Sequence, residues 1–252
     1  MLKDTYQNHE IAVLYRTNAQ SRVIEEVFLH YGIPYVLIGG TRFYERKEIK
    51  DVLSYLRLMI NPTDKVSVER IIKLGKRRWE DFKKVYEENK DKAETMDTDH
   101  LIEKILLGTK YLDQYDPKDE EDFSRLENIK ELRSVALSFP ALTEFLEQVA
   151  LVESEYFEGE KKGESNDSVR LMTLHQAKGL EFPVVFIAGV EEGILPHGRS
   201  VDDENSLEEE RRLFYVGVTR AKQKLHITYA RRRSIFGRRT EAMKSRFLED
   251  VI

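Results

Sequence analysis

Two stretches of this chain carry the residue types that handle phosphate. The first is Thr173-Leu-His-Gln-Ala-Lys-Gly-Leu-Glu-Phe182; the second is Glu208-Glu-Glu-Arg-Arg-Leu-Phe-Tyr-Val-Gly-Val-Thr-Arg-Ala221. Hydroxyl, imidazole and ammonium groups, here Thr173, His175 and Lys178, can take phosphate oxygens by hydrogen bonds. Glu181 could accept a ribose hydroxyl, and Gly179 lets the backbone turn tightly. The other reading is a polar loop with a capping threonine. Arg220 ends an element and follows small and β-branched residues. Its guanidinium can bind phosphate oxygens bidentately and stays charged in any environment. An arginine supplied across an interface raises phosphoryl-transfer rates by roughly 10³ to 10⁵. The competing reading is a salt bridge to the nearby acidic run. Arg16 and Asn18 follow an apolar run, Ile11 to Tyr15, where phosphate contact and plain loop solvation both fit.

Other chemistry is missing. There is no G-x-x-x-x-G-K-[ST] phosphate loop; the only Gly-Lys pair, Gly75-Lys76, precedes Arg77. The chain has no cysteine, which excludes disulfides and thiolate metal sites. Its six histidines show no ligand spacing, so no metal site is expected. Phe43, Tyr44 and Tyr35 could stack on bases or lie in the core, with core favoured for Tyr35. Arg231 to Arg239 holds five arginines in nine residues, a basic rim or a soluble terminal loop.

These residues need a scaffold, and the pattern supplies one. Ile11–Tyr15 and Tyr35–Ile38 read as buried strands. Between them Val23, Ile24, Val27, Phe28 and Tyr31 recur at helical spacing, stopped by Gly32 and Pro34. Ile49, Val52, Leu53, Leu56 and Ile60 form one helical stripe. From residue 67 strand patterns give way to helical ones, at 101–107, 126–137 and 142–152. A flexible return is expected at 159–167. Strands resume at Val169–Thr173, Val184–Ala188 and Leu225–Tyr229. A helix begun near Ser206, with Ser206 as N-cap and Glu209 closing a capping box, should carry Arg211 and Arg212. The two α/β stretches are each too small to bury both faces of a sheet, so they should complete one parallel sheet. Functional loops are expected at its carboxyl edge, with Arg220 pointing outward at that rim.

Bulk properties fit a globular protein of one core plus a satellite. The 252 residues have 40% hydrophobic and 35% charged content and a net charge of -5. Charge is uneven: 211–252 holds twelve Lys/Arg against three Asp/Glu. A local basic surface is compatible with a nucleic-acid path. No apolar run reaches transmembrane length, and a cytoplasmic location is the plain expectation.

The segments 11–22, 43–57, 173–186, 191–197 and 208–221 together resemble the UvrD/Rep/PcrA helicases of superfamily one. The resemblance covers both ends of the chain; the block 67–156 matches loosely. It implies an α/β, RecA-like (P-loop NTPase-like) parallel sheet flanked by helices, with a small helical insertion. The implied domains are 1–66 and 159–252, together the second motor domain, called 2A, and 67–158, an abbreviated 2B-like insertion. In such enzymes two RecA-like domains clamp ATP and Mg²⁺. The resemblance places Arg220 at the γ-phosphate and Glu181 near the ribose, with Gly179 beside it. Arg16, Asn18, Thr173, His175 and Lys178 fall along the single-stranded DNA track, moved in the 3′ to 5′ direction. The partners implied are single-stranded DNA and the first RecA-like motor domain, which carries the phosphate loop. Alone, this chain is expected to bind no nucleotide tightly and to hydrolyse none. At 74–79 it has Leu-Gly-Lys-Arg-Arg-Trp where the family has Pro-x-Arg-Gly-Ile-Gly. The alternative is a non-catalytic, helicase-like interaction module in DNA repair.

Overall fold

The computed structural model describes residues 5–162, 167–235 and 238–250. Two compact units divide the chain: Met1–Arg42 with Glu155–Ile252, and Phe43–Ser154.

The first unit is built on a five-stranded sheet of order β2-β3-β1-β4-β5. Its strands are β1 (Ile11–Tyr15), β2 (Tyr35–Leu37), β3 (Val169–Thr173), β4 (Phe182–Ala188) and β5 (Ala221–Thr228). All neighbours pair in parallel. The N-terminal strands β1 and β2 are not adjacent: β3, from the far half of the sequence, lies between them. The two α/β stretches thus complete one sheet, as the apolar patterning requires. Its faces are apolar in alternation, as a sheet covered on both sides must be. Ala12, Leu14, Met172, Leu174, Val185 and Ile187 pack with Leu213 and Phe214 of α8 (Glu204–Val218). On the opposite face, Ile11, Tyr15, Val169, Leu171 and Val184 pack with Ile24 and Phe28 of α1 (Ser21–His30). Tyr35 joins this second core, edge-on to Phe28 with ring centroids 6.0 Å apart. Gly32 follows α1 at φ 60°, the left-handed cap that glycine supplies without a Cβ penalty. Past β5, the strands β6 (Arg232–Ile235) and β7 (Arg238–Glu241) form an antiparallel pair.

Two local expectations shift. The N-cap of α8 is Asp203, not Ser206: the Asp203 carboxylate accepts from the Ser206 amide at 2.8 Å. The return segment expected at 159–167 is partly helical, because α7 (Leu142–Lys162) runs through Gly159; 163–166 lie outside the described residues.

The second unit is helical. It holds α2 (Lys47–Ile60), α3 (Lys65–Lys73), α4 (Lys76–Asn89), α5 (Thr98–Gly108), α6 (Glu120–Ser138) and the first part of α7. α2 is buried around most of its girth, with Ile49, Val52, Leu53 and Leu56 inaccessible, while Ile60 is exposed. Phe43 and Tyr44 are fully buried here, so neither is available to stack on a base. Two carboxylates enter this core with partners. Asp51 accepts from Arg70 Nε at 2.6 Å and Tyr111 Oη at 2.7 Å. Glu48 accepts from Asn128 Nδ2 at 2.6 Å, and Asn128 Oδ1 accepts from Arg46 at 2.7 Å. Among the described residues no single helix is long and apolar enough to cross a membrane.

Burial pushes the Tyr55 phenol up to about 12. Burial, then the Asp51 carboxylate, hold Tyr111 far above the ordinary phenol range. A raised phenol pKa means that the folded state keeps its proton longer than the unfolded one. Stability is therefore complete below the unfolded value of about 10 and declines as pH rises beyond it. An ultraviolet titration of the twelve tyrosines should show a component near pH 12 that disappears in Tyr55→Phe. Its persistence in that variant would contradict the assignment.

Candidate functional site

The strand register sorts the candidate residues onto two edges of the sheet. Thr173 ends β3 and pairs with Tyr15, the last residue of β1, so both lie at the carboxyl edge. Phe182 starts β4 and pairs with Ala221, the first residue of β5, at the amino edge. The connection 174–181 runs from one edge to the other. Thr173 and His175 therefore sit at the carboxyl edge with Arg16 and Asn18. Glu181 sits at the amino edge with Arg220. Lys178 and Gly179 fall between.

The carboxyl edge is ordered by two matching turns. Thr17-Asn-Ala-Gln20 follows β1, and Thr173-Leu-His-Gln176 closes β3. In each, the glutamine reaches back to the threonine amide at 2.9 Å, a reciprocal capping box. Each glutamine amide then donates to a neighbouring segment: Gln20 to the O of Ala188, the last residue of β4, at 3.3 Å, and Gln176 to Gly39 O, past β2, at 2.8 Å. The turn after β1 is thereby tied to the end of β4, and the turn after β3 to the loop after β2. Asn18 and His175 are carried on these turns, half-buried and exposed respectively. Thr173 is buried, its hydroxyl bonded to Gln176 Oε1 at 3.1 Å. It orders the turn rather than facing solvent.

Arg16, expected to meet a nucleic-acid strand, is held by Glu210 of α8. Nε donates to both carboxylate oxygens at 3.0 Å, and Nη2 to Oε1 at 2.6 Å. The side chains are only 17% and 6% exposed. Glu210 also accepts from the His197 amide at 3.0 Å. The pair ties the end of β1 to α8.

Arg220 lies at the amino edge and not, as expected, at the carboxyl rim. α8 runs back along the sheet, so the residue after it emerges where β5 begins. Its carbonyl accepts from Phe182 N at 2.9 Å. The half-buried guanidinium donates to three neutral oxygens: Val216 O at 2.9 Å, Leu180 O at 3.0 Å and Thr219 Oγ1 at 2.9 Å. Among the described residues no carboxylate pairs with it, so the competing reading, a salt bridge to the acidic run, is not met there. Arg211 and Arg212 pair instead with Glu208 and Glu209 along α8, at 3.4 and 3.2 Å. A guanidinium has five N–H groups. With three engaged, two remain for a further acceptor. Glu181 faces Lys222 at 3.5 Å, both more than half exposed. Gly179 is exposed at φ 86°, a conformation that suits glycine.

The basic segment after β5 is only partly free. Arg233 donates to the buried Glu191 through Nε at 2.5 Å and Nη2 at 2.9 Å, while Arg231 and Arg232 are exposed. The side chains of 234–240 lie outside the described residues.

The residues missed in the sequence are the supporting ones. Gln176 and Gln20 had a signal, threonine followed three residues later by glutamine. Gly217 had another, a glycine inside a helix: a Cβ there would lie 2.4 Å from Leu174 Cδ2 and 3.2 Å from Ile187 Cδ1. Glu210 had none, since Arg16 is 194 positions away.

Comparison with known proteins shows the family. The family model described as UvrD-like helicase C-terminal domain matches residues 1–81 and 76–232. The chain belongs to the UvrD-like helicase C-terminal family. Relatives carry the name ATP-dependent DNA helicase PcrA. That of Bacillus subtilis (strain 168) is 40% identical over 290 residues, covering 96% of this chain and 39% of the relative. That of Staphylococcus epidermidis (strain RP62A) is 39% identical with the same coverage. That of Staphylococcus aureus (strain Mu50) is 37% identical, again over 96% of this chain. The chain thus spans 39% of the length of these relatives. The family's matched region includes every candidate residue from Arg16 to Arg220.

Gly217→Ala tests how α8 is seated. The added methyl must displace Leu174 or lift the helix, at a cost of about 1–3 kcal/mol. A lower thermal midpoint by circular dichroism is the expected outcome; an unchanged midpoint would show that the contact relaxes freely.

Proposed function

We propose that this chain supplies the second RecA-like half of an ATP-dependent 3′ to 5′ DNA helicase motor. Its carboxyl edge contributes to the single-stranded DNA track, and its amino edge presents Arg220 to nucleotide held by the first motor domain. The observation that carries this reading is the state of Arg220. It is held in place by neutral oxygens, meets no carboxylate among the described residues, and keeps two donors free. A cation so prepared suits an oxyanion whose charge develops during reaction, because little reorganisation is then needed. Glu181, one residue before β4 on the same edge, is the group proposed for the ribose, and Gly179 lets the backbone turn beside it.

ATP and Mg²⁺ are the cofactors that the reading implies. The uncompensated guanidinium fits a polyphosphate. Among the described residues no group of three His, Asp or Glu could hold a metal, so the metal is assigned to the phosphates and the first motor domain. Bound ATP supplies the phosphoryl group transferred to water; this chain's part is to orient Arg220 and to hold the strand. Asn18, His175 and Lys178 are proposed to touch the strand. Thr173 acts there by closing its turn, and Arg16 by fixing α8 to β1 through Glu210.

Two measurements test the reading. When a phosphate-loop motor domain is supplied in trans, ATP hydrolysis should appear, and Arg220→Ala should lower kcat by roughly 10³-fold or more. An unchanged rate in that variant would remove the arginine from the reaction. Binding of oligo(dT) to this chain alone should weaken with salt. Lys178→Ala should reduce the slope of log K against log salt by about 0.7, the value for one single-strand phosphate contact. An identical slope would place Lys178 off the track.

A further inference from the structure

We infer that Thr219 is the positioning residue that aims Arg220; this deepens, and rests on, the reading of Arg220 as the nucleotide-facing arginine. The inference comes from how the last turn of α8 is built. The final carbonyls of a helix have no partner within it, and together they carry about half a negative charge. Val216 O is one of these. It accepts from Thr219 Oγ1 at 3.0 Å and from Arg220 Nε at 2.9 Å. Because the Thr219 hydroxyl proton is committed to Val216 O, its lone pairs are left to accept from Arg220 Nη2 at 2.9 Å. Leu180 O takes Nη1 at 3.0 Å from the other side.

Each guanidinium nitrogen therefore has one fixed acceptor. One acceptor would leave the planar group free to swing; three around its rim define its plane. Two of the three are backbone carbonyls that no substitution can delete. Thr219 Oγ1 is the side-chain member and the one that orients Nη2. The backbone at this point is also anchored, since Thr219 N donates to Tyr215 O at 3.0 Å and Arg220 N to Gly217 O at 3.2 Å. The hydroxyl thus works from a fixed base.

The test uses this chain labelled with ¹⁵N and ¹³C. The Arg220 Nε–Hε signal is assigned by its loss in Arg220→Lys, and the rate of rotation about Nε–Cζ is measured for each protein. Thr219→Val keeps the shape and removes the acceptor; rotation should quicken by roughly tenfold, the worth of one hydrogen bond. Thr219→Ser keeps the hydroxyl and should match the parent. Equal rates in all three proteins, or equal quickening in Ser and Val variants, would overturn the inference. With the motor domain supplied in trans, Thr219→Val should lower kcat by roughly tenfold with KM within about twofold, and Thr219→Ser should restore it. If Arg220→Ala abolishes hydrolysis while Thr219→Val leaves it intact, positioning by Thr219 is wrong and the motor reading stands. If rotation responds as expected while hydrolysis ignores Arg220→Ala, Thr219 still aims the arginine and the motor reading falls.

Discussion

The connection between β3 and β4 is the constraint from which the site's layout follows. Both strands run parallel to β1 and flank it on opposite sides. The chain leaving Thr173 at the carboxyl edge must therefore return to the amino edge before Phe182. Tyr15, opposite Thr173, and Ile11, opposite Val184, are four residues apart, about 13 Å of strand. The eight residues 174–181 cover that distance in consecutive turns, anchored by the buried Leu174 and Ala177. One short segment so has its head beside Arg16 and its tail beside Arg220. A movement imposed on His175 at one edge has a covalent route of few residues to Leu180 O, which holds Arg220 at the other. The close seating of Gly217 on Leu174 makes α8 the second wall of that route.

The two strand-end arginines are treated in opposite ways, and burial explains the contrast. Arg16 is largely enclosed and is matched by Glu210 with three hydrogen bonds. Removing one partner of such a pair costs about 3–5 kcal/mol, because the other charge is left without compensation. That makes the Arg16–Glu210 contact an anchor for α8. Arg220 keeps two donors free at the surface, where solvation tolerates an unmatched charge. The fold thus fixes the middle of α8 by ion pairing, at Glu210. Past its C-terminal end it leaves Arg220, whose partners are neutral oxygens.

Much of this was legible in the sequence, and the failures have a common cause. β1 and β3 came out with the predicted bounds because short apolar runs between turn residues encode buried strands directly. In the second unit α2, α5, α6 and α7 fall on the helical patterns read at 49–60, 101–107, 126–137 and 142–152, whereas α3 and α4 do not. The edge on which Arg220 sits was not legible, since it depends on strand order and direction, and β3 inserts between β1 and β2 from more than a hundred residues away. The role of Arg16 failed for the same reason: its partner arrives through tertiary folding alone. Phe43 and Tyr44 were ambiguous because an aromatic side chain looks alike whether it packs in a core or waits for a base. The cap of α8 moved from Ser206 to Asp203 because two polar residues three apart can each start a helix, and the carboxylate makes the stronger acceptor. The hydrogen bonds from the Ser206 side chain and amide hold the Asp203 carboxyl below its ordinary range, and a negative charge at a helix N-terminus is favoured by the dipole as well.

The absence of a carboxylate around Arg220 among the described residues is the choice that lets one residue be both held and available. A charge-assisted bond is roughly twice as strong as a neutral one, so an aspartate in place of Thr219 would grip the guanidinium harder. It would also cancel the charge and compete with any incoming oxyanion for the same N–H groups. Carbonyl and hydroxyl oxygens supply direction with little compensating charge. The end of α8 adds about half a negative charge spread over its last turn, enough to favour a cation there and too little to neutralise it. An arginine meant only for stability would be expected to sit as Arg16 does. Arg220 is held instead by neutral oxygens alone among the described residues, the arrangement on which the proposal of an external anionic partner rests.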